Sequence, residues 1–362
     1  MTTRIEFLVY RLFHIGLSIL IAALLLSLTL SAVHSSTETE TPAHATTTSR
    51  VLNYLYSISG TRTIAGQHNR EPNSNPVSWT NWIYSVTWRY PKLWGADYLY
   101  LQDDINNRWT MITEAKNQWN HGAFVTLMWH VCPPTIPEPC DWEDGIMSDL
   151  SDAQWDELVT YSTTTTSLNY KWRERIDEIV PYLQDLKNNG VEVLWRPLHE
   201  MNDDWCWWCG RPGPNGSRKL YEITYDYMKN TKGLTNLIWV WSIKDITTTL
   251  TPTLEYYPDD NYVDVVALDP WNDWSFPAEN YSMTLAIAKG KPIAIGETGR
   301  LPSPTVLAAQ PRWTWFLGWA ELVSASNTIT EIRTVYNDPR VVTLCRVWLP
   351  LVIRGFKTSS TT

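Results

Sequence analysis

The sequence predicts an α/β protein, a (β/α)8 TIM barrel forming a single domain, on three observations. Short apolar runs recur along the body of the chain with helical patterns between them, as alternating strands and helices require. Polar residues able to do chemistry fall at the C-terminal ends of those runs, the face that carries the site in such barrels. Finally, 362 residues with 44% hydrophobic leave enough chain for one large domain after a tail is removed.

Taken in order, Arg4 and Arg11 precede an apolar run from Ile15 to Leu30 and then Ser31-Ala32-Val33. Residues 1–34 therefore read as a signal peptide or, if uncut, a membrane anchor, and the protein is expected to be secreted. Residues 35–49 are nearly devoid of apolar side chains and read as a Ser/Thr-rich linker. Both Ser31-Ala32 and Ala43-His44-Ala45 offer cleavage sites.

Residues 50–340 carry the barrel pattern. Strands are expected near Thr63–Gly66, Leu93–Tyr98, Phe124–Trp129, Val191–Arg196, Leu237–Trp241, Val263–Asp269, Pro292–Glu297 and Trp315–Trp319. Helices are expected over Asp152–Leu158, Trp172–Lys187 and Lys219–Lys229. The second has Ile176, Ile179, Val180, Leu183 and Leu186 on one face and Gly190 as its stop. Residues 341–362 read as a tail that begins by packing on the last element and ends in Lys357 and a Ser/Thr run.

Gln67, His68, His130, His199, Glu200, Asp269 and Glu297 all fall at predicted strand ends. A lone histidine there is usually structural; so many polar residues at five strand ends point to a site. Hydrolysis of a glycosidic bond needs one carboxylic acid to protonate the leaving oxygen and one carboxylate to attack or to activate water. Glu200 and Glu297 are the best-placed pair. A retaining enzyme holds two such carboxyls about 5 to 5.5 Å apart, a span that two strand ends across a barrel mouth can supply. Arg196 and His199, next to Glu200 in sequence, would position the carboxylates and tune which keeps its proton.

Composition narrows the partner. The 22 Trp and 18 Tyr against 6 Phe favour surfaces that are part apolar and part wet, which suits the apolar faces of sugar rings; filling a large core is the alternative use. A formal charge of −9 without a basic cluster argues against nucleic acid. No His-Glu-x-x-His or comparable spacing occurs among the seven histidines, so chemistry without metal or cofactor is expected.

Four of the five cysteines form two close pairs, Cys132 with Cys140 and Cys206 with Cys209, leaving Cys345; export makes disulfides expected, with pairing within or across the pairs. The Cys206-Trp207-Trp208-Cys209 spacing resembles a redox motif, but no thioredoxin-like pattern surrounds it.

The segment Val193-Leu194-Trp195-Arg196-Pro197-Leu198-His199-Glu200-Met201-Asn202-Asp203-Asp204-Trp205-Cys206-Trp207-Trp208 resembles the acid/base motif of glycoside hydrolase family 26, mostly β-mannanases. Ile64-Ala65-Gly66-Gln67-His68, Leu93-Trp94-Gly95-Ala96-Asp97, Thr126-Leu127-Met128-Trp129-His130 and Lys291-Pro292-Ile293-Ala294-Ile295-Gly296-Glu297 agree in order, over roughly residues 50 to 340.

The resemblance implies a retaining endo-acting hydrolase of β-1,4-mannosidic bonds, with Glu200 as acid/base and Glu297 as nucleophile forming a covalent glycosyl-enzyme. It further implies that Arg196 and His199 orient the carboxylates and the bound sugar, that His130 holds the sugar next to the scissile bond, that Asp269 and Trp271 belong to the substrate-binding residues, and that Trp205 and Trp319 supply stacking surfaces. Trp207 and Trp208 would either stack on sugar or pack, and Trp319 is preferred to Trp315. The expected partner is mannan, glucomannan or galactomannan, met by a monomer.

One residue departs from the family pattern. Where relatives carry a Tyr two residues after the Asp of the sixth strand, placed on the nucleophile, this chain has Trp271, whose indole donates and cannot accept. That departure leaves a β-glucanase or β-xylanase with the same carboxylates open. A barrel that binds polysaccharide without cutting it is the reading from another class. Against it stands the glutamate pair, whose close approach costs electrostatic repulsion that a binder has no need to bear.

Overall fold

The structure, a computed structural model, describes residues 48–70, 72–246 and 253–344. The apolar segment at 15–30, most of the linker, Cys345 and the rest of the tail lie outside the described residues. Ten strands occur among them: β1 (Thr63–His68), β2 (Tyr90–Pro91), β3 (Leu93–Asp97), β4 (Phe124–Trp129), β5 (Val193–Pro197), β6 (Leu237–Lys244), β7 (Val265–Asp269), β8 (Ile293–Thr298), β9 (Trp313–Gly318) and β10 (Val341–Leu344). Eight of these, β1 and β3 to β9, run parallel in chain order, and β9 pairs with β1 to close the barrel. Each coincides with an expected strand.

The remaining two strands sit at the start of β1. Thr63 and Ile64 pair with Val341 and Val342 of β10, which in turn pairs antiparallel with β2. The sheet therefore reaches past residue 340, into what reads from sequence as the tail.

Side chains alternate along a strand, so stepping two residues follows the column that faces the barrel axis. The lower part of that column is apolar: Ile64, Leu93, Phe124, Leu194, Val240 and Trp315 belong to one buried cluster. A helix over Arg50–Ile58 closes it from below with Val51, Leu52, Leu55 and Ile58. Glu192, just ahead of β5, holds that helix by its N-terminus. Its carboxylate accepts from the Ser49 hydroxyl at 2.6 Å and from the backbone N–H groups of Arg50 and Val51 at 2.9 and 2.8 Å. Gly66 in β1 answers to close packing of the strands, since a Cβ there would lie 2.7 Å from the Phe316 carbonyl oxygen.

Outward-facing Trp94, Trp129, Trp195, Trp239 and Trp241 pack under the helices in the larger core cluster. In that layer the helix over Leu168–Asn188 buries Ile176, Ile179, Leu183 and Leu186. It starts four residues before the apolar pattern suggests because Ser167 caps it, its hydroxyl accepting from the Tyr170 N–H. The helix expected over Lys219–Lys229 runs from Ser217 to Tyr225 and widens to a π-turn over Asp226–Thr231. Ten tryptophans are buried to within 2% exposure, so core filling accounts for a large share of the 22. Trp207, Trp208 and Trp315 are among them. Among the described residues, no helix is long and apolar enough to cross a membrane.

Candidate active site

Continuing the inward columns upward, apolar residues give way to polar ones. Leu194 leads to Arg196, Val240 to Ser242, Ala267 to Asp269 and Gly95 to Asp97. The mouth of the barrel is thus made by the same two-residue step that makes its dry floor.

Arg196 stands at the centre. One guanidinium nitrogen lies 2.9 Å from Asp269, 3.0 Å from the Ser242 hydroxyl and 3.1 Å from Glu297. Ser242 donates to the same Asp269 oxygen at 2.6 Å. All four residues are buried. Gly296 makes room for the arrangement, since a Cβ there would lie 2.3 Å from Asp269 Oδ1. Burial pushes Asp269 up to about 6 although Arg196 and Ser242 pull it down. Glu297 is driven well up by burial, with Arg196 opposing and Asp269 and Glu200 adding to the rise.

Glu200 is held differently. Its oxygens accept one indole N–H each, from Trp205 at 2.7 Å and from Trp271 at 2.5 Å. Burial, then the charge of Asp269, push it up to about 8 against the pull of Lys244 and the two indoles. Its backbone is in the left-handed region at φ 56°, as is Leu198 at 51°. For residues with a side chain that conformation is costly and persists only where the surroundings impose it. Here the Glu200 N–H is tied to the Ser242 carbonyl at 2.9 Å, and the Trp208 indole to the His199 carbonyl at 2.9 Å.

A cavity of 260 Å³ is lined by Arg70, Leu99, Tyr100, His130, Trp142 and Trp319. His130 Nδ1 is 2.5 Å from Asp97, whose other oxygen accepts the His130 backbone N–H at 3.0 Å. Burial alone would raise Asp97, but His130 holds it down at about 2. Trp319 stacks on His68 with ring centres 4.3 Å apart. Burial, followed by the nearby cations and His130, lowers His68 to about 3 despite Asp97, so its ring is neutral. His199, 4.0 Å from Glu297, is likewise neutral, lowered well below its ordinary value by burial, His130 and Arg196. Trp142 stacks on Trp205 at 5.4 Å. A disulfide neighbours each of these rings in the chain, Cys132–Cys140 just before Trp142 and Cys206–Cys209 just after Trp205.

The structure thus brings Glu200, Glu297, His130, Arg196, His199, Trp205, Asp269, Trp271 and Trp319 to one mouth. It refines several placements. Trp271 gives its N–H to Glu200, whereas the family pattern puts the residue at this position on the nucleophile. Asp269, expected to contact substrate, is fully buried and is bound instead by Arg196 at 2.9 Å. Trp319 lines the cavity while Trp315 is in the floor. Asp97, Ser242, Trp142, Tyr100 and Arg70 gain no role from sequence reasoning. The first two were within reach of the two-residue step; Arg70 and Tyr100 sit on loops and Trp142 on a single π-helical turn, none with such a period.

Residues 40–345 match the model of glycosyl hydrolase family 26. The chain is 31% identical over 307 residues to a mannan endo-1,4-beta-mannosidase of Thermothelomyces thermophilus, covering 81% of this chain and 60% of that protein. Among solved structures it resembles GH26A from a Muricauda species, with TM-score 0.76 and 35% identity over 81% of this chain and 94% of that one. It also resembles the GH26-CBM35 β-(1,4)-mannanase of Podospora anserina, with TM-score 0.65 and 29% identity over 81% and 65% of the two chains. The chain spans 60% of the length of the Thermothelomyces relative. With a family match over most of its length and a closed barrel of the same kind, this chain belongs to glycosyl hydrolase family 26.

Proposed function

We propose that the protein is a secreted, retaining endo-β-1,4-mannanase in which Glu297 is the nucleophile and Glu200 the acid/base. The observation that carries this reading is the unequal treatment of two buried carboxyls at one barrel mouth. Arg196 touches Glu297 at 3.1 Å, whereas Glu200 has only neutral indole donors. One proton shared between them is therefore best kept on Glu200, leaving Glu297 ionised beside the cation.

In the first half of the reaction a Glu297 oxygen attacks the anomeric carbon. The bond from that carbon to the leaving sugar's oxygen breaks, and that oxygen takes the Glu200 proton. In the second half water attacks the same carbon, gives its proton to Glu200 and releases Glu297. His130, fixed by Asp97, and the rings of Trp319, Trp205 and Trp142 would hold the sugar in the cavity. The substrate comes from the relatives' mannan endo-1,4-beta-mannosidase activity.

The test is reducing-sugar release from mannan, glucomannan, mixed-linkage glucan and xylan, with Glu200→Ala and Glu297→Ala beside the parent. Cleavage of mannan, with each variant losing about 10³-fold or more, is expected. Activity confined to glucan or xylan would move the substrate and keep the mechanism. Polysaccharide binding without cleavage would replace the enzyme by a binding barrel.

A further inference from the structure

We infer that Trp271 is a positioning residue for the acid/base: its one N–H, given to Oε1 of Glu200, favours the ionised carboxylate that must accept water's proton in the second half of the reaction. The inference rests on Glu200 being the acid/base, as proposed above.

An acid/base of a retaining enzyme works in both protonation states within one cycle. Its surroundings must therefore keep neither form out of reach. Around Glu200 most influences favour the neutral form: it is 4% exposed, and Asp269 and Glu297 face it from β7 and β8. Lys244 from β6 and Arg196 from β5 oppose them by charge and act from a distance. The groups that touch it are the two indoles.

An indole N–H can donate and cannot accept. A hydroxyl or water in its place would turn to accept from a protonated carboxyl, serving both states alike. Trp271 instead serves the charged state, and at 2.5 Å its bond is the shorter of the two. Its position is fixed by the strand end itself: the Trp271 backbone N–H donates to the Asp269 carbonyl at 3.0 Å, and the Asn272 backbone N–H donates to the Asp245 carboxylate at 2.9 Å. Trp205 is less separable, because it also stacks on Trp142.

The experiment compares pH profiles of the parent and Trp271→Phe on mannan and on an aryl β-mannobioside with an activated leaving group. Loss of the donor raises the pH at which Glu200 ionises, so the alkaline limb of kcat/KM should move up by about one pH unit while the acid limb stays. On the activated substrate, where the second half limits, kcat below that limb should fall about tenfold. Benzothienylalanine at position 271, which keeps the ring shape and lacks the N–H, should do the same and guards against a folding defect in the Phe variant.

A limb that stays in place while only KM rises would make Trp271 a mere sugar-contacting ring and overturn the inference. Titration of a 13C-labelled Glu200 carboxyl needs no turnover: an unchanged midpoint in the variants overturns the role of Trp271. Parent-like turnover by Glu200→Ala would instead overturn the acid/base reading beneath it.

Discussion

The floor and the mouth of this barrel are built from the same eight strands, yet they are opposite kinds of interior. In the floor, Ile64, Leu93, Phe124, Leu194 and Trp315 fill the axis and the helix over Arg50–Ile58 closes it. At the other end of the barrel, the ends of β5 to β8 bring Arg196, Ser242, Asp269 and Glu297 into one cluster of hydrogen bonds and ion pairs. Several buried atoms of the mouth, among them both ring nitrogens of His68 and Asp269 Oδ1, make no hydrogen bond among the described residues. Unpaired buried polar groups cost stability, and like charges near one another add to the cost. The difference teaches that the floor supplies stability and the mouth is held in place by it.

The strongest way to break that comparison is to remove the largest side chain of the floor. Trp315→Ala deletes a fully buried indole whose N–H has no partner among the described residues, so the loss is one of packing alone. A destabilisation of about 3–5 kcal/mol is expected in urea unfolding, with kcat and KM per folded molecule close to the parent's. Intact stability, or a collapse of kcat in protein that is still folded, would show that floor and mouth are not separable.

How much of this was legible in the sequence follows the same division. All eight barrel strands were readable because each is a short apolar run, and the polar residues at their ends marked the mouth. Glu200 and Glu297 stood out since a carboxylate after an apolar strand is conspicuous. Ser242 and Asp97 were not singled out although each lies on an inward column, because a serine or aspartate at a strand end is equally at home in a turn. The partner of Trp271 could not be read at all. Which of two carboxyls a ring reaches depends on the path of the loop after β7, and no periodicity encodes that path. The cap of the floor helix was hidden for a similar reason, since Glu192 and Ser49 are 143 residues apart.

A second comparison concerns pH. Glu200, raised from 4.5 to about 8, binds a proton more readily in the folded than in the unfolded chain. Between these values the unfolded state holds fewer protons, so this group's contribution to stability is present below about 4.5 and is lost as pH rises toward 8. Glu297 and Asp269, also raised, act in the same direction. Urea unfolding at a series of pH values should therefore show the parent losing stability relative to Glu200→Gln as pH rises from 5 to 8, over a background in which the lowered His68 and His199 act the opposite way in both proteins. An identical slope in the two proteins would mean that the mouth's carboxyls are not strained by burial.

The smallest expected effect returns to the floor and sharpens the division from below. Glu192→Ala removes the carboxylate that accepts from Ser49, Arg50 and Val51, leaving the first turn of the floor helix with only the Ser49 hydroxyl on the Leu52 N–H at 3.0 Å. Loss of a capping group costs about 1–2 kcal/mol, and the carboxylate's favourable place at the helix N-terminus disappears with it. Because the helix touches the floor and not the mouth, the loss should appear as faster amide exchange over residues 50–58 and a lower unfolding midpoint, at unchanged kcat. If kcat falls with the midpoint, the floor helix transmits its order to Glu200 through β5, whose first residue follows Glu192 directly. The stability supplied below would then be a condition of the geometry above, not merely its support.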